Sequence, residues 1–246
     1  MITIIGGLLS PYVRKVLAVC DLKSLPYQID PIVPFLGGDR FAEVSPLRRI
    51  PVLIDDLVTL SDSSAICQYL EDRYPTPSVY PKPIADRAQS RWLEEFADTR
   101  MGDVFVWKIF NEACIKPAIW KQPRDTAAIQ HAVAHDLPDV MTYLERVAPT
   151  EGFAFGPLSI ADISVAVFFR TLRWSRVAPD PTLWPKTLAW AERVENVPEL
   201  KRLSEAGDRL LRVPPTEAGA VLAGLGFAVV ADSMGGREPR RGPMSV

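Results

Sequence analysis

A proline-rich segment at residues 74–83 divides this chain of 246 residues into two parts with different sequence patterns. Four of its ten residues are proline. Because proline fixes φ and has no backbone N–H, the segment can form neither a helix nor a central strand. Short apolar runs alternate with a helical pattern before it, whereas helical periodicity predominates after it. We therefore predict an α/β domain followed by an all-α domain.

The first part has the element order βαβ followed by ββα. The strands are predicted at residues 1–5, 26–33, 50–54 and 57–60, the first helix begins at Ser10-Pro11, and the second lies within residues 61–74. Serine is a good N-cap and proline is favoured at the first helical position. The βαβ unit predicts two parallel strands, and the two runs around Asp55-Asp56 predict an antiparallel hairpin. This order in fewer than 80 residues is that of a thioredoxin-like domain.

Helical patterns occupy most of the second part. They are predicted at residues 85–115, 126–147 with a break near Pro138, 160–174 and 184–212. The predicted domains are a thioredoxin-like domain at 1–77, a linker at 78–84, a helical bundle at 85–212 and a C-terminal extension at 213–246. The apolar run at 218–231 predicts that the extension is partly packed, while its last dozen residues predict disorder.

Composition and charge exclude several classes of function. Lys plus Arg number 28 and Asp plus Glu number 30, so the chain has no basic field with which to hold a nucleic-acid backbone. Its three cysteines, Cys20, Cys67 and Cys114, form no Cys-x-x-Cys pair, which argues against a zinc site and a dithiol redox centre. We find neither a secretory signal nor an apolar run of the roughly 20 residues that span a bilayer. We expect a cytoplasmic protein without membrane or nucleic-acid partners.

Four short segments carry a resemblance to a known family. They are S-P-Y-V-R-K-V from Ser10, S-P-L-R-R-I-P-V-L from Ser45, L-S-D-S-S-A-I from Leu60 and G-P-L-S-I-A-D-I from Gly156. Each is weak alone. In this order, together with the proline-rich linker, they make residues 1–212 resemble the serine-type cytosolic glutathione S-transferases, of the bacterial theta- or beta-like kind. The resemblance implies glutathione as co-substrate, no metal, a glutathione-binding first domain, a substrate-binding second domain and a homodimer.

Ser10 is the residue at which the resemblance places the chemistry. In serine-type members, the hydroxyl at this position donates a hydrogen bond to the sulfur of glutathione. The thiolate is the reactive form of a thiol, and a hydroxyl donor at the positive end of a helix dipole stabilises that anion. A plain helix N-cap is the alternative interpretation of Ser10, and the two roles are compatible at the tip of a loop.

Two further motifs imply the contacts with the rest of glutathione. The resemblance implies a cis bond at Ile50-Pro51, with the amide and carbonyl of Ile50 pairing with the cysteinyl part. It also implies that the Asp62 carboxylate binds the α-amino group of the γ-glutamyl end, while Ser63 and the helix start bind its α-carboxylate. A trans proline at a strand edge and a simple N-cap at Asp62-Ser63 are the structural alternatives.

The chain departs from the family pattern at Arg48-Arg49, where a Gly-Lys pair is usual. In place of the lysine, Arg49 is expected to bind the glycyl carboxylate of glutathione, as a two-point contact. Arg48 replaces a glycine, which bears on the shape of this loop.

The resemblance also implies a pocket for the second substrate. It would be lined by Leu9, Tyr12, Trp107, Phe110 and Asn111. Aromatic residues at helical spacing more often belong to an ordinary helix core, and this alternative stays open for Trp107 and Phe110.

Two other patterns are interpreted as structural. Ser159 and Asp162 have the spacing of a capping box ahead of an apolar helix, so we assign Asp162 to structure. His131 and His135 lie at i and i+4, a spacing that can hold a metal, but no third ligand is evident. A solvated helix face is the prediction for these histidines.

The sequence therefore predicts a glutathione transferase with a role in detoxification, which activates glutathione as a thiolate for attack on small apolar electrophiles. Glutathione-dependent isomerisation or dehalogenation would use the same thiolate and stays open. A non-catalytic binding or scaffolding protein is the second hypothesis, because fold does not dictate function. A thiol-disulfide oxidoreductase is a weaker third, since serine and not cysteine occupies the nucleophile position.

Overall fold

The computed structural model describes residues 1–242, and the chain divides into two units. The first unit combines Met1–Pro77 with the chain from Lys201 onward, and the second is Ser78–Leu200. A four-stranded mixed sheet with helices forms the first unit, and helices form most of the second. The predicted fold class, a thioredoxin-like α/β domain followed by an all-α domain, is confirmed.

The strands of the sheet are β1 Ile2–Ile5, β2 Tyr27–Asp30, β3 Val52–Ile54 and β4 Thr59–Ser61. Their order is β2-β1-β3-β4. β1 and β2 are parallel, as expected of a βαβ unit, whereas β3 is antiparallel to both β1 and β4. β2 is shorter than predicted because the chain turns tightly after it, where the N–H of Ile32 donates to the carbonyl of Asp30 at 2.8 Å.

Three helices belong to the first 77 residues: α1 Pro11–Leu22, α2 Asp39–Val44 and α3 Ser63–Arg73. α1 has the predicted apolar face, and its fully buried side chains include Val13, Val16, Leu17 and Cys20. α1 packs against α3. α2 and the 3₁₀ turn Pro34–Leu36 before it are absent from the sequence prediction, because elements this short show no clear period.

Asp55 fixes the hairpin between β3 and β4. Its carboxylate accepts hydrogen bonds from the backbone N–H groups of Leu57 and Val58 at 2.9 and 3.0 Å. The same carboxylate accepts from the Tyr69 hydroxyl at 2.6 Å and from the Arg73 guanidinium at 2.5 Å. The side chain of one aspartate thus shapes the turn and attaches it to α3.

The helices that follow the linker are α4 Ile84–Phe96, a π-type helix Ala97–Trp120, α5 Thr126–His135, α6 Leu137–Val147, α7 Ile160–Trp174, α8 Pro185–Glu195 and α9 Pro198–Leu210. The break predicted near Pro138 is confirmed, since α6 begins at Leu137. The π-type helix passes the predicted end at residue 115 and includes Pro117 in its last turn, where the missing N–H removes one helical hydrogen bond. None of the helices within residues 1–242 is both long enough and apolar enough to cross a membrane.

α7 is buried along nearly its whole length and packs against α4, α8 and the π-type helix. Its capping box is present, as predicted. The Asp162 carboxylate accepts from the N–H of Ser159 at 2.9 Å, from the N–H of Ala154 at 2.8 Å and from the indole N–H of Trp190 at 2.8 Å. Asp162 is therefore a structural residue at the centre of the second unit.

The C-terminal extension returns to the first unit, where it forms α10 Ala218–Gly224. Leu222 and Phe227 are buried, and Val229 forms a parallel bridge with Ile29 of β2. The predicted disorder of the last dozen residues falls partly on 243–246, which lie outside the described residues. The described residues of that stretch form backbone hydrogen bonds with residues 35–36. The division of the extension into a packed and a disordered part stays a prediction.

Candidate active site

The three segments predicted to bind glutathione leave the sheet at the same end. Ile5 of β1 lies opposite Val52 of β3, and Val52 lies opposite Ser61 of β4. Because β3 runs antiparallel to its neighbours, its start lies beside their ends. The segments that adjoin this row are the loop from β1 to Ser10, Ile50-Pro51 before β3, and Asp62-Ser63 after β4.

Ser10 is the N-cap of α1 and is half-buried. Its Oγ accepts a long hydrogen bond, 3.4 Å, from the N–H of Val13. Within residues 1–242 the hydroxyl of Ser10 donates a hydrogen bond to no group. Its proton is therefore free to be donated to a ligand at the positive end of the α1 dipole. The N-cap alternative and the chemical role are both compatible with this geometry.

Gly6 brings the loop after β1 into contact with the segment before β3. Its φ is +144°, and a Cβ at this position would lie 2.6 Å from Cγ2 of Val13 and 3.0 Å from Cβ of Ile50. Only glycine fits such a close approach in this conformation. The sequence predicts no such role for Gly6, because the role depends on a contact that no local pattern reveals.

The Ile50-Pro51 bond is cis, as the resemblance implies. The side chain of Ile50 packs against the buried cluster of Ile5, Ile32, Phe41 and Val52. The backbone N–H and carbonyl of Ile50 form no hydrogen bond with other residues of the described chain. They are therefore available to pair with an extended ligand, as a neighbouring strand would.

Asp62 is the N-cap of α3 and has a φ of +87°. Its Oδ1 accepts from the N–H groups of Ser64 and Ala65 at 3.0 and 3.1 Å, whereas Oδ2 accepts from no group among residues 1–242. Ser63, the first residue of α3, is buried. The buried amine of Lys15 lies 3.2 Å from the Ser64 Oγ and so connects α1 to the first turn of α3.

Arg48 has a left-handed backbone, with a φ of +52°, a conformation that favours glycine. Its guanidinium donates to the carbonyl of Gly37 and lies over the ring of Phe41, 5.8 Å from its centre. Arg49 is exposed, and its backbone is fixed by Ser45, whose Oγ accepts from the Arg49 N–H at 2.9 Å and donates to its carbonyl at 2.8 Å. The sequence does not predict that Ser45 fixes the backbone of Arg49, because serine before Pro46 is also typical of a simple turn.

The residues predicted for the second-substrate pocket lie in both units. Leu9 and Tyr12 are half-buried in the first, and Trp107 and Asn111 are half-buried in the second. Phe110 is only 5% exposed, and its ring centre lies 6.1 Å from that of Trp174. Phe110 therefore has the surroundings of the core alternative, while the pocket itself stays a prediction.

The cysteines and histidines of the described chain show no second chemical centre. Burial raises the pKa of the Cys20 and Cys114 thiols, which disfavours their thiolate forms. His131 and His135 stack with ring centres 4.3 Å apart, and both are exposed. Residues 1–242 contain no group of three histidine, cysteine or acidic side chains that could hold a metal ion.

Residues 5–78 match the family model for the glutathione S-transferase N-terminal domain. Glutathione S-transferase Z1 of Arabidopsis thaliana is 35% identical over 79 residues, which cover 30% of this chain and 35% of that protein. Glutathione S-transferase theta-1 of Mus musculus is 26% identical over 232 residues, which cover 85% of this chain and 90% of that protein. The chain spans only 35 to 37% of the length of the first curated relatives that it matches.

The fold is also that of solved glutathione S-transferases. The enzyme from Rhodospirillum rubrum F11 is 26% identical, with a TM-score of 0.75 over 82% of this chain and 91% of that one. The sequence match is concentrated in the unit that contains Ser10, Ile50-Pro51 and Asp62, and the structural match extends to the helical unit. Residues 5–78 thus match the glutathione S-transferase N-terminal domain in sequence, and over most of the chain the fold is similar to that of solved glutathione S-transferases.

Proposed function

We propose that this protein is a glutathione transferase, with glutathione as its co-substrate. The observation that carries the proposal is the Ser10 hydroxyl, held at the N-terminus of α1 with no acceptor for its proton within residues 1–242. Similarity supports the proposal, because the similar proteins are named glutathione S-transferases.

Ser10 would stabilise the sulfur anion of glutathione in two ways. Its hydroxyl donates a hydrogen bond to the sulfur, and the dipole of the 12-residue helix α1 favours negative charge at the same point. An unperturbed thiol has a pKa of about 8.5, so both effects increase the thiolate fraction near neutral pH. The thiolate attacks the electrophile and forms a C–S bond, and the leaving group departs in a substitution or a proton is taken up in an addition.

The same end of the sheet supplies groups for each part of the tripeptide. The N–H and carbonyl of Ile50, ahead of Pro51, would pair with the cysteinyl residue. The unused Oδ2 of Asp62 would bind the α-amino group, while Ser63 and the N-terminus of α3 would bind the α-carboxylate. The exposed guanidinium of Arg49 would bind the glycyl carboxylate in a two-point contact.

The electrophile is proposed to be a small, mainly apolar molecule, bound near Leu9 and Tyr12 of the first unit. Substitution, addition, dehalogenation and glutathione-assisted isomerisation all begin with attack by the same sulfur. We further propose that the protein is a cytoplasmic homodimer and that its biological role is detoxification.

Substitution of Ser10 by alanine tests the proposal. We expect Ser10→Ala to lower conjugating activity about 10-fold or more, since loss of one donor to a developing or full anion has effects of this size. The pKa of bound glutathione, followed through the ultraviolet absorbance of its thiolate, should rise in the variant. The affinity for S-methylglutathione, which has no thiol to ionise, should change little.

Ser24→Ala is the matched control, because Ser24 is an exposed serine outside the site. Full activity of Ser10→Ala toward every electrophile that the unaltered protein accepts would show that Ser10 is not the sulfur donor. If the unaltered protein is not retained on glutathione-agarose and shows no thermal shift with glutathione, the binding or scaffolding hypothesis replaces the enzyme.

A further inference from the structure

The C-terminal extension continues the sheet at the same end as the candidate site. We call residues 228–240 the strap. The N–H of Ile29 in β2 donates to the carbonyl of Ala228 at 2.9 Å, and the N–H of Val230 donates to the carbonyl of Ile29 at 3.0 Å. β2 is an edge strand of the sheet. The strap therefore covers backbone groups that an edge strand would otherwise leave unpaired.

Asp30 anchors the strap. It is the last residue of β2, lies opposite Ile5 of β1, and is buried. Its carboxylate accepts from the Ser233 hydroxyl at 2.6 Å and from the N–H of Met234 at 2.7 Å. A buried carboxylate needs such donors, and hydrogen bonds to a charged acceptor are among the strong ones. The anchor belongs to the same cross-sheet row as Ile5, Val52 and Ser61.

Beyond this anchor, the strap holds the loop that follows β2. The N–H of Gly38 donates to the carbonyl of Met234 at 2.8 Å, and the N–H of Gly236 donates to the carbonyl of Leu36 at 2.5 Å. A Cβ on Gly38 would lie 3.2 Å from the Met234 oxygen, and one on Gly236 would lie 3.3 Å from the Leu36 oxygen. Glycine at both positions lets the two backbones approach closely. The N–H of Arg240 adds a further hydrogen bond, to the carbonyl of Phe35 at 2.7 Å.

The loop in turn holds the segment that precedes Pro51. The carbonyl of Gly37 accepts a hydrogen bond from the guanidinium of Arg48. This bond helps to hold the left-handed backbone of Arg48, the residue before Arg49. Met234 of the strap packs against the buried cluster that includes Phe41, and the Arg48 guanidinium lies over the Phe41 ring. A continuous set of contacts thus leads from the strap to the Arg48-Arg49 segment, and every step lies within the first unit.

We propose that the strap positions the Arg48-Arg49 segment for the glycyl carboxylate of glutathione. This inference rests on the proposed function. Exposed loops without such attachments are mobile, and ordering a loop when a ligand binds lowers affinity. The strap therefore does part of this ordering before glutathione arrives, and its effect falls on the glycyl end of the tripeptide. Ser233 and Met234 are positioning residues, since they act through Asp30 and the loop.

The double variant Ser233→Ala/Met234→Ala tests the inference in the full chain. We expect the Kd of glutathione to rise about 5-fold or more, within the usual range of coupling between separate sites. The Kd of γ-glutamylcysteine, which lacks the glycyl residue, should change by less than about twofold, the range expected of uncoupled surface changes. The KM for glutathione should rise while kcat stays unchanged. Glu238→Ala, a change at an exposed strap residue, is the matched control and should bind both thiols normally.

Hydrogen exchange in the unaltered protein gives a second measurement that does not depend on a variant folding. Thermodynamic linkage is reciprocal: if the attached strap raises the affinity for glutathione, bound glutathione must stabilise the attached strap. Glutathione should therefore slow hydrogen exchange at the amides of Gly38, Met234 and Gly236. γ-Glutamylcysteine should slow them less. Equal protection by the two thiols would overturn the inference, and so would equal loss of affinity for both in the double variant.

The two proposals fail in different ways. If the unaltered protein binds neither thiol, the proposed function is wrong and the role of the strap is lost with it. If the unaltered protein binds both thiols and the double variant binds each of them with the same affinity as the unaltered protein, only the role of the strap is wrong.

Discussion

Three residues with positive φ border the candidate site: Gly6 at +144°, Arg48 at +52° and Asp62 at +87°. For residues other than glycine such conformations cost about 1–3 kcal/mol each and persist only where the surroundings enforce them. The enforcing contacts are present here. The Gly37 carbonyl holds Arg48, and the first amides of α3 hold the carboxylate of Asp62.

Gly6→Ala should destabilise the first unit by about 2 kcal/mol or more, because the added Cβ combines a strained backbone with overpacking. The Cβ would lie 2.6 Å from Val13 and 3.0 Å from Ile50. The measurement is the free energy of unfolding from chemical denaturation. Binding of glutathione should weaken in the folded fraction, since Ile50 must move.

Gly224→Ala is the control for Gly6→Ala. A Cβ at Gly224 meets nothing within 4 Å, and the residue lies at the end of α10. Alanine also has the higher helix propensity, so stability should change by less than about 1 kcal/mol. Equal stability of the Gly6 and Gly224 variants would contradict the close approach described for the loop after β1.

Residue by residue, the sequence predicts what depends on neighbours in the chain. The N-caps at Ser10 and Asp62 and the proline after Ile50 are local patterns. The family pattern has glycine where this chain has Arg48, and the Arg48 backbone is held left-handed by the contacts of its guanidinium with Gly37 and Phe41. Those contacts join residues whose proximity no spacing in the sequence indicates.

At the scale of elements, the hairpin of β3 and β4 depends on a carboxylate. Burial alone would raise the pKa of Asp55, but the hydrogen bonds from Tyr69, Leu57 and Val58 and the charge of Arg73 outweigh burial and lower the pKa. A carboxyl group with a lowered pKa in the folded state contributes stability above its unfolded pKa of about 3.9. That contribution is lost as the pH falls through the folded pKa.

Asp55→Asn should therefore lower the free energy of unfolding by about 1–3 kcal/mol near neutral pH, because charged hydrogen bonds in a buried network are lost. The difference from the unaltered protein should shrink as the pH falls below about 4. Asp56→Asn is the matched control. Its carboxylate is 63% exposed, so its ion pair with Arg73 contributes little. A difference for Asp55→Asn that stays constant with pH would contradict the assigned pKa shift.

Long periodic elements are predicted well, and short or non-local ones are not. α7 is found at the predicted residues because its apolar period and its capping box agree. α2 has only six residues and shows no period. The strap is missed as an element for a different reason, since Val229 pairs with Ile29 across most of the chain. Pairing over such a separation leaves no local signature in a single sequence.

At the scale of the whole molecule, the described part of the C-terminal extension packs as part of the first unit. Leu222 is fully buried, whereas Leu225, three residues later, is 43% exposed. Leu222→Ala should destabilise the first unit by about 2–5 kcal/mol through the cavity it leaves. Leu225→Ala should change stability by only about 0.5 kcal/mol. Hydrogen exchange of the β2 amides reports the first unit selectively, and similar exchange in the two variants would contradict this role.

The attachment of Val229 to β2 also orders events during translation. The ribosome completes the whole helical unit before it releases residues 228–230, so a nascent chain carries β2 with a bare edge for that entire interval. A tag or fluorescent reporter joined to the C-terminal extension would follow residues that hold the loop beside Arg48. An affinity tag at the other terminus is therefore the better choice for testing the proposed binding of glutathione.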